Sequence, residues 1–435
     1  MVVLLKLLEK MKNNILIISH YFPPIPGVGG RRWTKFVKHL SRKEDQKIHV
    51  ISAKNNFKNI QSSFEDELKT IDFKHTVLDS KYPKYLERVE FKKSTLKSKI
   101  MFRIQHYLIK KKIKGNYWDL SVFWQSHFDK TIPDIISSEK IEKIIISGPP
   151  YRYVEYACKL KDIFPNLQII LDYRDPWNDF NSPKKFEKTR HDFEINLERQ
   201  SLKNVDKIIT VSEFQKSLIL KKEPNSAPIH IIPNGFDPDD YEMNSNEPKM
   251  NPMINITHFG TLHFQKDYYW IPFFNAYHRL KTCNPDIYEN INLNLIGYCP
   301  KEILDYIKLK ELNVITTGMI PPREAFKYLQ NTDIALWFKY DGSPGDYATK
   351  FGDYIALKKF MWTFSVKGAV TEHIIENRIG KVFYRDDKDL ENHIYDSFLK
   401  IENINDREFN YNYNSERLNI SNLTEELIKV LDNPT

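Results

Sequence analysis

The chain has 435 residues, which is too many for one compact core, so we expect two domains. Hydrophobic residues make up 41% and charged residues 28%, a balance that excludes a disordered chain and favours a soluble globular protein. The net charge of +8 is compatible with an anionic partner, without choosing among nucleotide phosphates, lipid headgroups and nucleic acid, but composition alone favours a lysine-rich soluble surface. The three cysteines, Cys158, Cys283 and Cys299, form no CxxC pair, so we expect reduced thiols in a cytosolic protein.

Short β-branched runs recur along the chain, each followed by turn residues and a helix-like stretch. In the first half they are NILIIS, KIHVIS, KIIIS, QIILDY, KIITVS and IHIIP, and in the second half INITHFG, INLNLIG, NVITTG, DIALWF and FMWTF. Because these runs are apolar on both faces, they indicate buried parallel strands. Their alternation with helical stretches predicts an α/β fold with doubly wound sheets.

A polar stretch over 232–252 has three prolines after Asn234 and no apolar period, so we place the interdomain linker there. We therefore predict an N-terminal Rossmann-like domain over 12–235 and a C-terminal one over 236–410. A last helix over 411–435 is expected to pack back on the body, because its leucines recur every four residues, at Leu423, Leu427 and Leu431.

The segment 92–118 interrupts the α/β rhythm. It carries nine basic residues before Asn116 and no acidic one, and apolar residues recur every four positions, at Leu96, Ile100, Ile104 and Leu108. A helix with one apolar stripe and a basic remainder is typical of helices that lie on anionic lipid, so 92–114 is a candidate for peripheral membrane contact. An ordinary surface helix with its stripe on the core explains the pattern equally well.

Three loops of the first half follow strands and lead towards helices. They are PPIPGVGGRR with Gly29 and Gly30, the loop within ISGPPYRYVEYACKL (146–160), and LDYRDPWND (171–179). Carboxyl ends of parallel strands share one rim, where open α/β sheets bind ligands. Glycines before a helix expose backbone N–H groups to an anion, although a tight turn explains Gly29-Gly30 as well. The candidate acceptor or cleft residues at this rim are His20, Arg32, Arg174 and Asp175, with a structural Arg174–Asp175 ion pair as the alternative.

Two loops of the second half carry a similar arrangement. Gly260 follows a strand, with Lys266 soon after, and a glycine-containing loop leads to Thr349-Lys350 at a predicted helix start. A lysine there can neutralise a diphosphate, and Asp353, one turn later, can accept two ribose hydroxyls. A charged helix start with an ordinary Lys350–Asp353 pair is the alternative.

Other patterns with possible chemistry are weak. The acidic clusters DPDD (237–240) and DDKD (386–389) are better explained as solvated turns than as metal sites, and HExxH, GxSxG and cysteine–histidine pairs are absent from the sequence. No DNA- or RNA-binding motif occurs, so we expect no nucleic-acid partner.

Several motifs coincide with a known family when they are taken in order. ILIISHYFPPIPGVGGRRWTKFVKHL, SGPPYRYVEYACKLKDIFPNLQIILDYRDPW, VDKIITVSEFQKSL, IIPNGFD, ITHFGTLHFQK and TKFGDYIAL resemble family 4 of the retaining glycosyltransferases, from about residue 14 to about residue 385. The resemblance implies the GT-B fold: two Rossmann-like doubly wound domains facing across a cleft, with acceptor on the N-terminal side and nucleotide sugar on the C-terminal side. It also implies retention at the anomeric carbon and no metal ion.

The resemblance assigns roles to individual residues. Gly29 and Gly30 match the glycine loop near the donor phosphates and the acceptor, Lys266 lies near a basic position, and Lys350 matches the residue facing the diphosphate. Asp353 matches the ribose-binding carboxylate. Lys266 and Lys350 are therefore the predicted catalytic residues, and the predicted donor-binding residues are Gly29, Gly30, Gly260, Thr349, Lys350 and Asp353.

The sequence departs from the family at three positions. Gly345 stands where a glutamate is usual, Val154 where a histidine often follows the PP loop, and Thr261 at a basic position.

The predicted function is transfer of a sugar from a UDP- or GDP-linked donor, without a cofactor, to a glycan acceptor in bacterial surface polysaccharide or lipid-linked glycan synthesis. The predicted location is cytoplasmic, at the inner face of the membrane if 92–114 binds lipid. The alternatives are a catalytically degenerate partner or glycan-binding subunit and a GT-B sugar-nucleotide epimerase.

Overall fold

The computed structural model describes most of the chain. The described residues are 14–25, 27–43, 47–56, 64–87, 95–178, 187–241, 253–262, 267–339, 341–342, 345–401 and 410–433. The chain divides into two compact units, the first comprising Met1–Pro233 with Thr424–Thr435 and the second Asn234–Leu423.

The first unit contains a seven-stranded sheet whose paired strands all run parallel, in the order β3-β2-β1-β4-β5-β6-β7. Its strands are β1 (Ile15–Ser19), β2 (Ile48–Ala53), β3 (Lys74–Leu78), β4 (Lys143–Gly148), β5 (Gln168–Tyr173), β6 (Lys207–Thr210) and β7 (Ile229–Ile231). Its helices are α1 (Arg31–Ser41), α2 (Glu65–Leu68), α3 (Lys84–Glu87), α4 (Leu96–Lys112), α5 (Ile132–Glu139), α6 (Arg152–Cys158), α7 (Lys188–Asn204) and α8 (Glu213–Lys222).

The second unit contains a six-stranded parallel sheet in the order β10-β9-β8-β11-β12-β13. Its strands are β8 (Ile254–Phe259), β9 (Ile291–Ile296), β10 (Val314–Gly318), β11 (Ile334–Phe338), β12 (Phe360–Ser365) and β13 (Gly380–Tyr384). Its helices are α9 (Asp267–Cys283), α10 (Pro285–Glu289), α11 (Lys301–Leu309), α12 (Pro322–Gln330), α13 (Thr349–Ala356), α14 (Ala369–Glu376) and α15 (Leu390–Leu399).

The central strands are buried on both faces, as the apolar runs predict. Every residue of β1, β4 and β12 is buried, because helices cover both sides of a parallel sheet. The predicted fold class, an α/β protein with two Rossmann-like doubly wound domains of the GT-B type, is confirmed. All eleven predicted runs form strands, whereas β3 and β13 were not predicted from the sequence.

The last helix, α16 (Ile420–Asp432), follows the predicted leucine spacing. Leu423, Leu427 and Leu431 are each 1% exposed. Within the first unit, the Lys207 ammonium donates to the carbonyl of Val430 at 2.7 Å, so the end of the chain is fixed to the first sheet by hydrogen bonding as well as by apolar contact.

Candidate functional site

Each sheet has a point where the strand order reverses. In the first sheet the chain builds outward from β1 through β2 to β3 and then restarts at β4 on the other side of β1; in the second sheet β8 and β11 are related in the same way. Open α/β sheets bind ligands in the crevice outside the carboxyl ends of the strands at such a point. The loops after β1, β4, β8 and β11 are therefore the candidate ligand-binding parts of the two units.

Arg174 joins two of the predicted loops of the first unit. Its Nε donates to the carbonyl of Gly148 at 2.9 Å, and its Nη1 donates to the carbonyl of Gly29 at 2.5 Å. The loops after β1, β4 and β5 therefore meet at one rim, as the sequence predicts. Arg174 holds this rim together, whereas Asp175, 3.8 Å away at its nearest, has a side chain that is 57% exposed.

The two glycines after β1 are explained by packing within their own loop. A Cβ on Gly30 would lie 2.5 Å from the carbonyl oxygen of Tyr21, and one on Gly29 would lie 3.1 Å from the Tyr21 Cβ. Both glycines lead directly into α1, through a short 3-10 turn at Val28–Gly30. The tight turn considered in the sequence analysis is therefore present; contact with a phosphate at the same place stays a prediction.

Arg32, which the sequence analysis placed among the candidate acceptor residues, has several partners inside the first unit. Its side chain faces the interior, with Nη2 3.2 Å from the Asp172 carboxylate and hydrogen bonds from the guanidinium to the carbonyls of Ile232 and Pro233. Asp172 also accepts from the Trp33 indole at 2.7 Å and from the Ser147 hydroxyl at 3.0 Å. These groups hold the Arg32 guanidinium inside the first unit, which favours a structural role, while acceptor binding by Arg32 stays a prediction.

His20, directly after β1, is 2% exposed and its Nδ1 lies 2.9 Å from the Tyr153 hydroxyl. Burial lowers the pKa of the His20 imidazole to about 3, so the ring is neutral at physiological pH. Val154, at the position where the family often has histidine, is fully buried in the core of the first unit. His20 and Tyr153 thus form a polar pair next to Val154. Tyr153 was not identified in the sequence analysis.

In the second unit the structure brings Gly260 and Lys350 together. Gly260, after β8, has a φ of +101°, and a Cβ there would lie 3.3 Å from the Lys350 ammonium nitrogen. Glycine therefore leaves room for the lysine as well as permitting this backbone conformation. Burial lowers the pKa of Lys350 to about 8, with Asp353 partly opposing that shift. The amine is thus held close to backbone at the strand-order reversal of the second sheet.

Thr349 and Asp353 lie on the same helix, α13, which begins at Thr349. The residue before it, Ala348, has no side chain able to cap the helix. The N–H of Phe351 donates to the Ala348 carbonyl at 2.9 Å, so the N–H groups of Thr349 and Lys350 are the ones at the helix start that could face an anion. Asp353 is 1% exposed and accepts a hydrogen bond from the buried Tyr241 hydroxyl. The predicted ribose contact by Asp353 therefore has to accommodate Tyr241, which the sequence analysis did not consider.

Two further glycines extend the backbone surface at the carboxyl ends of the strands. Gly297 after β9 has a φ of +121°, and a Cβ on it would lie 2.5 Å from the Gly260 carbonyl oxygen; Gly318 at the end of β10 has a φ of +68° with open space around its Cα. Both were missed as site residues. The signal was present, because glycine directly follows the apolar runs INLNLI and NVITT in a glycine-poor chain.

Lys339 is another site residue that the sequence analysis missed. It directly follows β11, is 2% exposed, and has a pKa lowered to about 8 by burial, with Asp346 and Asp341 opposing the shift. Asp341 also accepts from the hydroxyls of Tyr268 at 2.8 Å and Tyr269 at 2.9 Å. The loop before α13 therefore combines a buried lysine with fixed carboxylates at the strand-order reversal.

The remaining predictions concern Lys266 and the acidic clusters. Lys266 lies outside the described residues. Asp387 and Asp389 lie in a surface turn, as expected, with Asp387 accepting from the His393 imidazole at 2.6 Å. The DPDD interpretation needs correction, because Asp237 is fully buried and accepts from the backbone N–H of Asp239 rather than facing solvent.

One part of the chain matches a family model. Residues 118–240 match the sequence model of Glycosyltransferase Family 4. Over these residues the match confirms the resemblance to family 4 drawn from the motifs. No curated protein sequence matches the chain.

Solved structures of similar fold cover nearly the whole chain. Sucrose-phosphate synthase from Thermosynechococcus elongatus has a TM-score of 0.63 at 13% identity, over 96% of this chain and 98% of its own. HepE from Anabaena, in complex with UDP and glucose, has a TM-score of 0.59 at 12% identity, over 96% and 99%. A Listeria monocytogenes protein with a proposed UDP-N-acetylglucosamine 2-epimerase activity has 0.57 at 11%, over 97% and 96%. At these identities the comparisons establish the fold alone.

Proposed function

We propose that this protein is a retaining glycosyltransferase that transfers a hexose from a UDP- or GDP-linked donor to a glycan acceptor. The observation that carries the proposal is the position of the Lys350 ammonium beside Gly260, at the strand-order reversal of the second unit. The Lys350 ammonium, the glycine that follows β8 and the start of α13, which has no side-chain cap, together form a suitable binding site for a nucleotide diphosphate. The complex of HepE with UDP and glucose supports a nucleotide-sugar donor in this fold.

The proposed reaction requires stabilisation of the departing diphosphate. The bond between the anomeric carbon and the diphosphate oxygen breaks, the acceptor oxygen bonds to that carbon on the same face, and the acceptor proton passes to the departing diphosphate. Lys350 and the N–H groups at the start of α13 would stabilise the growing negative charge. Lys266 retains its predicted catalytic role, and Asp353 its predicted ribose contact, as parts of the proposal. No metal ion or cofactor enters this scheme.

The proposed acceptor class and cellular location rest on the helix α4 rather than on Lys350 and Gly260. A glycan used in surface polysaccharide or lipid-linked glycan synthesis is the acceptor class we propose, with the enzyme acting on the cytoplasmic side of a membrane. The support is the basic helix α4, whose outer face leaves large apolar side chains exposed. Among the described residues, none of the helices combines the length and the apolar character needed to cross a bilayer.

A panel of UDP- and GDP-sugars tests the proposed activity. We expect one donor to raise the melting temperature, and nucleotide release from that donor to require a glycan acceptor, with or without EDTA. Release that needs no acceptor and is accompanied by inversion within the sugar would instead identify an epimerase. Binding without turnover across the panel would identify a degenerate subunit, an alternative motivated by Gly345 and Val154.

The lowered lysine pKa values predict a pH dependence of donor binding. Lys350 and Lys339 each have a pKa of about 8 in the donor-free protein, and an adjacent diphosphate would raise the pKa of a lysine that it contacts. Nucleotide binding above pH 8 then takes up a proton, so affinity falls as pH rises, by up to about tenfold per unit for one lysine.

Isothermal titration calorimetry with UDP and GDP between about pH 7 and pH 9.5 measures this effect. For the nucleotide that binds, we expect a constant affinity well below the lysine pKa, a progressive loss above pH 8, and a shallower loss in the Lys350→Met variant. An affinity independent of pH in the wild-type protein would show that neither lysine contacts the diphosphate.

A further inference from the structure

The helix α4 presents apolar residues on two opposite sides. One side packs on a small core formed by buried residues of the first unit, namely Tyr82, Leu86, Ile109, Tyr117 and Val122. Phe102 and Ile113 pack against the same core from this side. The Thr95 hydroxyl caps the helix start by accepting from the backbone N–H of Ser98. The helix is thus already folded and attached to the protein through one face.

The other side leaves large apolar side chains in solvent. The exposed fractions are 75% for Leu96, 48% for Ile100, 46% for Ile104, 57% for Tyr107 and 57% for Leu108. Spacings of three and four residues place them on one face of the helix. The core-facing stripe considered in the sequence analysis is therefore wrong for Leu96, Ile100, Ile104 and Leu108. Burying such an apolar stripe would be energetically favourable, and an exposed apolar patch of this kind is typical of a surface that binds a partner.

The charges on α4 identify the chemistry of that partner. The helix contains no acidic residue, and its exposed basic residues include Lys97, Lys99, Arg103, Lys111 and Lys112. At about 100° per residue, Lys97 and Lys111 fall within the exposed apolar face, while Arg103 and Lys112 fall on its two edges. The Lys111 ammonium lies 4.5 Å from the centroid of the Tyr107 ring.

We propose that the outer face of α4 docks on an anionic lipid surface. Apolar side chains would enter the boundary between headgroups and acyl chains, while long lysine and arginine stems reach the phosphates. At 17 residues the helix would lie in the plane of the interface rather than span it. Because it is already helical, docking has no helix-formation cost. A partner protein would have to supply a groove that is both apolar and acidic.

Lipid docking is independent of the proposed chemistry. It requires no donor, no acceptor and no turnover, so an inactive protein could still bind vesicles and a transferase could fail to bind them. If both proposals hold, α4 brings the first unit, where the acceptor is expected, to the surface that carries lipid-linked glycans.

Sedimentation of the full chain with vesicles tests the proposal. The vesicles are pure phosphatidylcholine, or phosphatidylcholine with phosphatidylglycerol, at low and high salt. One variant removes the apolar stripe by Ile100→Gln, Ile104→Gln and Leu108→Gln, and another removes charge by Lys97→Gln, Lys99→Gln and Lys111→Gln. The matched controls change exposed residues of the second unit: Leu304→Gln, Leu309→Gln and Met319→Gln, or Lys301→Gln, Lys308→Gln and Lys388→Gln.

We expect binding to the anionic vesicles only, weakened by salt. The stripe and charge variants should each lose about tenfold or more in the partition coefficient, whereas both controls should bind as the wild type does. The proposal is overturned if the wild-type chain ignores anionic vesicles, or if the α4 variants bind as well as their controls. It is also overturned if sedimentation velocity shows self-association that the stripe variant abolishes, because a second copy then covers this face.

Discussion

Replacing Lys350 by methionine is expected to abolish sugar transfer while leaving the protein folded. Methionine keeps an unbranched apolar stem beside Gly260 and removes only the ammonium group, whose nitrogen would lie 3.3 Å from a Cβ at that glycine. Loss of one preorganised group that stabilises developing negative charge costs about 10²–10³-fold in turnover in other enzymes. We expect a loss of at least that size in kcat, measured as nucleotide release with the donor identified by the panel.

The same substitution, Lys350→Met, is not expected to destabilise the protein. Because burial lowers the pKa of Lys350, the folded protein holds the charged lysine less favourably than the unfolded chain does. Removing this charge should leave the melting temperature unchanged or raise it, so loss of activity would not reflect unfolding. Lys301→Met, which removes an exposed lysine at the start of α11, is the matched control and should retain full turnover. Normal turnover of Lys350→Met would show that the donor phosphates bind elsewhere.

The central strands could be predicted from the sequence, while the two edge strands found only in the structure could not. A central parallel strand is buried on both faces and therefore appears as an uninterrupted apolar run, as in β1 and β4. At the edge, β3 has the sequence KHTVL with no buried residue, and β13 has one buried residue, Phe383. Burial alone does not explain the difference, because the edge strands β7 and β10 also have no buried residue and were predicted from the β-branched runs IHIIP and NVITTG. In β3 and β13, basic residues precede only a short apolar stretch, so no such run stands out.

The candidate site was predictable where local sequence carries the chemistry. Gly260 and Lys350 were found because the end of a strand and the start of a helix can each be recognised in the sequence. The topology then places both residues at one edge of the second sheet. Lys339 was missed because a lysine after a strand is common, and its burial depends on the loop that follows. Arg32 was assigned to the acceptor because its buried partner, Asp172, is distant in the chain and lies on another element, β5.

Breaking the ion pair between Arg32 and Asp172 is expected to destabilise the first unit by about 3–5 kcal/mol, because the change leaves a buried carboxylate without its cation. Both side chains are almost fully buried, with exposures of 5% and 0%, so solvent cannot replace the lost partner. Arg32→Met would also remove the hydrogen bonds to the carbonyls of Ile232 and Pro233. Urea unfolding, followed by a probe in the first unit, gives the free energy of unfolding.

A double-mutant cycle separates the ion pair from the rest of the effect. Asp172→Asn combined with Arg32→Met removes both charges and should cost less than the sum of the single changes, because no unpaired buried charge remains. The Trp33 indole can still donate to the side-chain carbonyl of the asparagine introduced by that substitution. The exposed pair Lys69–Asp66 serves as the control, with side chains 74% and 75% exposed, and Lys69→Met should leave the free energy of unfolding almost unchanged. Equal small effects at both pairs would contradict a structural role for Arg32 and favour its assignment to the acceptor.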